Sequence, residues 1–277
     1  MFAVTATSPD RHPSGRASRS RRAKFLGLAL GCFVFLAFVH PHFAAGVRHP
    51  TPSTPFMTTI ADSHSTGELT GKVTYEGTPK KFKPIDMSAE PNCAKFYNTP
   101  PLPEAIVTGP GNALQSVVVY ISEGAPDEKP SAEPVVQLTQ RGCRYSPHVV
   151  TAETGQEVWV KNDDSVTHSV HPLSHANPEW NRSQPPGTPP VVIRYSQPEF
   201  IHVKCELHPW MRGVLAVFKN SHHGVTDANG GFTLPDLPPG KYTVTAWHET
   251  YGTQSKQIVV AAGESQPVNF TFKVTPY

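Results

Sequence analysis

The sequence lacks the motifs of several common functional classes. Apolar residues do not recur at helical spacing over roughly the last 210 residues, which excludes a helical bundle. Only 17% of the 277 residues are charged and the formal net charge is +2, so no basic surface for nucleic acid is expected. The chain also lacks a Ser-His-Asp signature, a phosphate-binding glycine loop and a Cys-x-x-Cys-His haem attachment site. These absences argue against hydrolytic, nucleotide-dependent, haem-dependent and nucleic-acid-binding functions.

Proline and glycine, in contrast, are abundant, with 30 and 20 residues. They separate short runs of β-branched residues, a pattern typical of strands joined by turns. The continuous apolar run 117–121 predicts a strand buried between two packed layers. Residues 172–190 are rich in proline and asparagine and predict a long irregular excursion. We therefore predict an all-β fold.

The first 46 residues have the features of a targeting segment. Six Lys and Arg residues precede the uncharged run 25–39, which is short for a membrane span of roughly 20 residues. We expect 1–46 to be a signal peptide or a signal anchor that directs export of the protein by the general or the twin-arginine route. We expect 47–66 to be a flexible linker. The chain beyond residue 46 holds 18 basic and 21 acidic residues. The expected location is the periplasm or surface of a bacterium, with membrane contact only through an uncleaved anchor.

Three cysteines remain beyond the leader: Cys93, Cys143 and Cys205. An odd number leaves one thiol over after a single disulfide. A Cys93–Cys143 disulfide in an oxidising compartment would leave Cys205 free for a metal, although the sequence alone permits other pairings.

The heptapeptide at 205–211, Cys-Glu-Leu-His-Pro-Trp-Met, places a thiolate, an imidazole and a thioether in one short loop. Cys205, His208 and Met211 supply three of the four ligands of a mononuclear electron-transfer copper site. In the preceding strand, Ile201 and Val203 share the side of Cys205, so the thiol is expected to face the interior.

The fourth ligand is predicted by the same parity. His168 shares the side of the apolar Val170, whereas His171 has the opposite parity and is expected to face outward. Zinc is the alternative metal, since Cys and His bind it well, but methionine is a poor zinc ligand. The alternative without metal is a buried cysteine with Met211 as a packing residue. The pair His222–His223 is expected at the surface.

The block from about 135 to 220 contains YSPHVVTAETGQEVWVKNDDSVTHSVH and FIHVKCELHPWMRGVLAVF. It resembles the cupredoxins, in particular amicyanin, pseudoazurin and plastocyanin-like proteins. The resemblance implies a Greek-key β-sandwich and one type 1 (blue) copper ion. The implied ligands are His168, Cys205, His208 and Met211. Residue 169 is Ser where these proteins usually carry an Asn that braces the two ligand loops.

The flanking segments, GKVTYEG with VVVYI and then VTDANGGFTLPDLPPGKYTVTAWHE, resemble a carboxypeptidase-regulatory-like, transthyretin-like sandwich. We expect this sandwich to be formed by 67–133 and 221–277, with the cupredoxin block, 134–220, inserted in it. The combination resembles secreted bacterial proteins called methylamine-utilisation or plastocyanin-like proteins.

The expected function is one-electron transfer by an exported copper protein, with unidentified redox proteins as partners. Pro209 and Trp210 would lie near an exposed edge of His208, where they would form a docking surface; packing is the equal alternative for Trp210. The alternative functions are copper storage, delivery or sensing, and a surface scaffold that transfers no electrons. No enzymatic activity is expected. The chain lacks the repeated His-x-His pairs of a trinuclear copper centre and the second loop cysteine of a dinuclear one.

Overall fold

The computed structural model describes residues 65–129 and 135–274, all within the compact unit Met57–Tyr277. The predicted targeting segment, and the predicted linker up to residue 64, lie outside the described residues. Within the described ranges, no helix combines the length and the apolar character needed to cross a membrane.

The regular secondary structure of the described residues is almost entirely β, as predicted. The first flanking segment contains β1 Gly67–Gly77, α1 Pro91–Ala94, β2 Thr108–Gly109, β3 Ala113–Leu114 and β4 Val118–Glu123. The central segment contains β5 Val136–Gln140, β6 Tyr145–Ser146, β7 Val149–Glu153, β8 Val158–Asn162, β9 His168–Leu173, β10 Arg182–Gln184, β11 Val191–Ile193, β12 Glu199–Lys204 and β13 Arg212–Phe218. The last segment contains β14 His223–Val225, β15 Gly231–Leu237, β16 Gly240–His248, β17 Gly252–Val260, β18 Ser265–Pro267 and β19 Phe270–Val274.

The central segment forms a two-sheet sandwich, which we call the central sandwich. One sheet has the order β10-β9-β12-β13-β7 and the other β11-β8-β5-β6. Alternation places the two inner faces against each other: Val158 and Val160 of β8 meet Ile201 and Val203 of β12 in one apolar cluster. The strands β9 and β12, which lead to the predicted ligands, are paired side by side in this sandwich.

The two flanking segments pair with each other to form a second sandwich, the outer sandwich. Strand β1 lies beside β15 and pairs in parallel with β18 and β19. Strand β4 lies between β14 and β16. One core joins residues of both segments, including Leu69, Val119, Leu234 and Phe270. In chain order, the central sandwich therefore lies between the two segments that form the outer one.

Two strands are buried on both faces because the sandwiches pack on each other. Val118 of β4 and Val214 of β13 lie in a cluster between the sandwiches, whereas the neighbouring Val119 faces the outer core. The ring of Phe200 lies 4.5 Å from that of Trp247 across this interface. The apolar run 117–121 is thus buried between two layers, as expected.

The excursion at 172–190 is more ordered than predicted, because it contains the short strand β10 and a turn that is held by side-chain hydrogen bonds. The Glu199 carboxylate accepts hydrogen bonds from Ser174 Oγ at 2.6 Å, from Asn177 Nδ2 at 3.1 Å and from the His175 N–H. Burial raises the pKa of Glu199, but these hydrogen bonds outweigh it and lower the pKa to about 2. One acidic side chain therefore organises the turn.

The segment between β1 and β2 carries a short cap over the central sandwich. We define the cap as residues 85–97, which include α1. Its buried side chains Ile85, Met87 and Cys93 cluster with Cys143 of the central sandwich. Cys93 and Cys143 are joined by a disulfide with a Cα–Cα distance of 5.6 Å.

Candidate metal centre

His168 begins β9 and is fully buried. Its Nε2 atom lies 2.9 Å from Asp164 Oδ2, and this contact fixes the ring so that Nδ1 points toward the 205–211 loop. Asp164 also accepts hydrogen bonds from the N–H groups of Gly142 at 2.7 Å and Cys143 at 2.8 Å. Burial raises the pKa of Asp164, but the bonds from His168 and these N–H groups hold it below its usual value. A carboxylate behind a histidine selects the ring tautomer and orientation that a metal ligand needs.

Cys205 follows the last residue of β12. Burial alternates along this strand as the parity argument requires: Ile201 and Val203 are buried, whereas His202 is exposed. The chain then turns through the 205–211 loop into β13. Two hydrogen bonds close the turn, from the Cys205 N–H to the Met211 carbonyl at 3.1 Å and from the Met211 N–H to the His208 carbonyl at 2.9 Å.

The structure brings together three of the four predicted ligands. The Nδ1 atoms of His168 and His208 are 3.0 Å apart, and Cys205 Sγ lies 3.6 Å from His208 Nδ1. These ligand atoms all lie within 4.8 Å of one another. Met211, the fourth, is fully buried in the same apolar cluster as Cys205.

The electrostatics of this pocket favour a thiolate. Burial alone raises the pKa of the Cys205 thiol, but hydrogen bonds from His168 and the N–H groups of Ser169 and Leu207 lower it to about 6. Cys205 is the free cysteine among the described residues. A buried thiolate beside two imidazoles and a thioether is a donor set that fits copper, so the residues present fit the metal that the resemblance implies.

Ser169 connects the two ligand loops. Its hydroxyl accepts a hydrogen bond from the Glu206 N–H at 2.7 Å and lies 3.7 Å from Cys205 Sγ, while its N–H donates to Cys205 Sγ at 3.3 Å. Serine therefore supplies here the bracing contacts that the resemblance assigns to an asparagine. Tyr145 adds a second brace, because its hydroxyl lies 2.9 Å from the Ser169 carbonyl and 3.0 Å from the Lys204 carbonyl.

The edge of His208 is covered, contrary to the expectation that it is exposed. His208 is only 3% exposed, because its Nε2 atom lies 3.6 Å from Cys93 Sγ of the cap. Trp210 is half-buried, its ring centroid 5.3 Å from that of His208, and its Nε1 donates to the Cys143 carbonyl at 3.1 Å. Of the two residues predicted to form a docking surface, Trp210 packs on the disulfide and Pro209 is exposed.

Other histidines fall outside this pocket. His171 faces away from it, as expected, and contacts the carboxylates of Glu206 and Glu179. The pair His222–His223 is predicted at the surface, but His222 is 3% exposed, with its Nδ1 3.3 Å from the Pro235 carbonyl. His223 is half-buried, with its ring stacked 4.9 Å from that of Phe218.

Two residues that hold the pocket in shape, Asp164 and Tyr145, are not among the predicted site residues. The only signal for Asp164 was an acid four residues before a predicted histidine ligand. For Tyr145 there was none, because an aromatic residue beside a predicted strand is ordinarily part of a core.

Comparison with known proteins gives a family match at the C-terminal end. Residues 214–273 match the carboxypeptidase regulatory-like domain, less than a quarter of the chain. The match begins within β13 and covers β14 to β18 and most of β19. A search of curated protein sequences finds no match.

Three solved structures illustrate the likeness of this chain to known proteins. A purple cupredoxin from Nitrosopumilus maritimus is 21% identical, with 30% of this chain and 98% of that chain covered and a TM-score of 0.26. Amicyanin from Paracoccus versutus is 20% identical, with 36% and 96% covered and a TM-score of 0.28. A copper-containing nitrite reductase from Thermus scotoductus is 20% identical, with 36% and 25% covered and a TM-score of 0.29. The chain is therefore similar to cupredoxins and, over 214–273, to the carboxypeptidase regulatory-like domain.

Proposed function

We propose that this chain is a type 1 copper protein that transfers single electrons. The observation that carries the proposal is the convergence of Cys205 Sγ and the Nδ1 atoms of His168 and His208 within 4.8 Å in a buried pocket, beside the buried Met211. A thiolate with two imidazoles and a weak thioether is the ligand set of electron-transfer copper sites. Bound there, a copper ion would supply a one-electron couple between its cuprous and cupric states.

The protein itself fixes the positions of these donor atoms and excludes water from them. The four predicted ligands are at most 3% exposed, so water is excluded and a substrate has no path to the donors. This burial supports a carrier rather than an enzyme. The hydrogen bonds of the 205–211 loop, of Ser169 and of Tyr145 fix the donor positions, which limits the rearrangement between oxidation states.

Export to an oxidising compartment forms part of the proposal. The Cys93–Cys143 disulfide is of a kind that persists in the periplasm or outside the cell and is rare in the cytosol. The partners would be redox proteins that approach the loop near Pro209 or the cap. Electrons would leave through the His208 ring toward Cys93 or Trp210, the groups in contact with it.

Copper storage or delivery is the second candidate, and one observation favours it. The imidazole edge of His208 is covered by the cap, which lengthens the path to a docked redox partner. A carrier and a storage protein differ in electron exchange: only the carrier cycles reversibly at an electrode and with a small redox dye.

The test is to load the purified protein with one equivalent of cupric ion and record visible and electron-spin spectra. We expect an intense thiolate-to-copper band that Cys205→Ser abolishes and His168→Gln weakens or shifts. His175→Gln is the matched control, because His175 is exposed and lies on the excursion. A colourless protein that binds cupric ion only weakly would refute the proposal.

A further inference from the structure

One ring nitrogen of His208 faces the Cys205 thiol, and the other faces the Cys93–Cys143 disulfide. Nδ1 lies in the metal pocket, 3.6 Å from Cys205 Sγ. Nε2 lies 3.6 Å from Cys93 Sγ, in the fully buried Cys93–Cys143 disulfide. The disulfide is therefore in direct contact with a predicted metal ligand.

A second connection runs from the same disulfide to His168. The N–H groups of Gly142 and Cys143 donate to the Asp164 carboxylate, and this carboxylate holds His168 Nε2. Both histidine side chains of the metal pocket are thus positioned by groups that depend on where Cys143 and Cys93 lie.

The cap has little regular structure to hold it without the disulfide. Its helix, α1, has four residues, and its contacts with the central sandwich include one hydrogen bond from Tyr97 Oη to the Gly142 carbonyl at 2.7 Å. Beside the disulfide, Ile85, Met87, Ala94 and Tyr97 line a groove of about 380 Å³ that opens to the surface. The cores of the two sandwiches are separate clusters, so opening the cap would leave them intact.

We propose that the Cys93–Cys143 disulfide is a redox-operated latch on the metal site. A dithiol that reaches the groove donates two electrons and two protons. The S–S bond breaks, Cys93 and Cys143 become thiols, and the donor becomes a disulfide. The cap then separates from His208, the loop 163–167 between β8 and β9 loses its fixed contact with Cys143, and the metal is released to solvent. This inference rests on the proposed metal binding at Cys205 and the two histidines.

The latch has a reciprocal consequence. If the metal binds more tightly when the disulfide is intact, it must stabilise the disulfide by the same factor. Each tenfold loss of metal affinity on reduction therefore makes the disulfide potential about 30 mV more negative in the loaded protein than in the metal-free protein.

The experiment uses the full chain loaded with cobalt(II), which a phosphine does not reduce and whose thiolate band reports on Cys205. A phosphine and water reduce the disulfide, giving two thiols and the phosphine oxide. Transfer of cobalt to a chelator is timed before and after reduction. We expect release to become faster by about tenfold or more. Ellman titration of the thiols and far-ultraviolet circular dichroism are recorded on the same samples.

The matched control is Cys93→Ala with Cys143→Ala, in which release is expected to be fast already and insensitive to the phosphine. Unchanged release from a protein whose disulfide is fully reduced overturns the latch and leaves the metal site standing. Loss of the β-sheet signal on reduction also overturns it, because the disulfide then holds the fold rather than the cap. A protein that binds neither cobalt nor copper before reduction overturns the proposed function itself.

Discussion

Asp164→Asn is the substitution that tests how the pocket is held. Asp164 is 5% exposed and accepts three hydrogen bonds: Oδ1 from the Gly142 N–H, and Oδ2 from the Cys143 N–H and His168 Nε2. An asparagine of the same shape keeps one acceptor oxygen. Its NH₂ group cannot accept, so at best the N–H of Gly142 is left buried without a partner.

The expected loss can be worked out from those contacts. Leaving one buried donor unpaired costs about 1–3 kcal/mol, and the remaining two bonds lose their assistance from a full charge. We expect a decrease of about 2–3 kcal/mol in the free energy of unfolding of the metal-free protein. For a unit of this size that is a fall in Tm of roughly 5–10 °C. Cupric affinity should fall by about tenfold or more, because His168 loses the group that orients it.

The assay is urea unfolding of the metal-free protein, followed by competition for cupric ion with a chelator of known affinity. Asp163→Asn is the matched control: it removes the same charge one residue earlier, where the carboxylate forms solvent-facing ion pairs with Arg141 and Lys161. Such pairs contribute less than about 1 kcal/mol. If Asp164→Asn were no more destabilising than Asp163→Asn, and left copper affinity unchanged, the reasoning about the pocket would be wrong.

Three further predictions concern separate parts of the chain. Ser169→Ala removes a hydroxyl that lies 3.7 Å from Cys205 Sγ, so it should lower the reduction potential of the copper form in voltammetry; an equal or higher potential would contradict this. Glu199 has a folded pKa of about 2 against an ordinary 4.5, so its stabilisation is present above pH 4.5 and is lost as the pH falls toward 2. The gap in unfolding free energy between wild type and Glu199→Gln should narrow over that window, and a constant gap would refute the assignment. Gly71→Ala would place its Cβ 1.8 Å from the Val268 carbonyl and should destabilise the protein by more than about 3 kcal/mol in urea unfolding, whereas a near-neutral effect would show that β1 can shift.

The strands that the sequence predicts are those with a strong apolar pattern. In β12 the alternation of Ile201 and Val203 with polar residues is visible in the sequence and is matched by burial. The last segment that indicates the outer sandwich, VTDANGGFTLPDLPPGKYTVTAWHE, ends at residue 249, although β17, β18 and β19 follow. Strand β17 pairs only with β16 among the described strands, and its side chains are mostly exposed. An edge strand needs no apolar face, so its sequence pattern is weak.

The contacts of the metal pocket likewise fall into two kinds: some are set by residues close together in the sequence, and others by residues far apart. The contact of Cys205 with His208 is set within one loop, and the approach of His168 follows from the pairing of β9 with β12. The cover over His208 could not be predicted, because Cys93 lies 115 residues away in the sequence. Its position depends on how the cap crosses from the outer sandwich to the central one, and no local pattern specifies such a crossing.

That crossing gives the outer sandwich a role in covering the candidate metal site. The chain leaves β1 at Gly77 and returns to the outer sandwich at Thr108 in β2, so both ends of the segment containing the cap are fixed there. Its middle is fixed to the central sandwich by the disulfide. Because both ends of the segment 78–107 are fixed, the disulfide holds Cys93 over His208 at a smaller entropy cost than it would in a free chain. The insertion of one sandwich into the other is therefore what allows this chain to cover an imidazole edge that its own 205–211 loop would leave open.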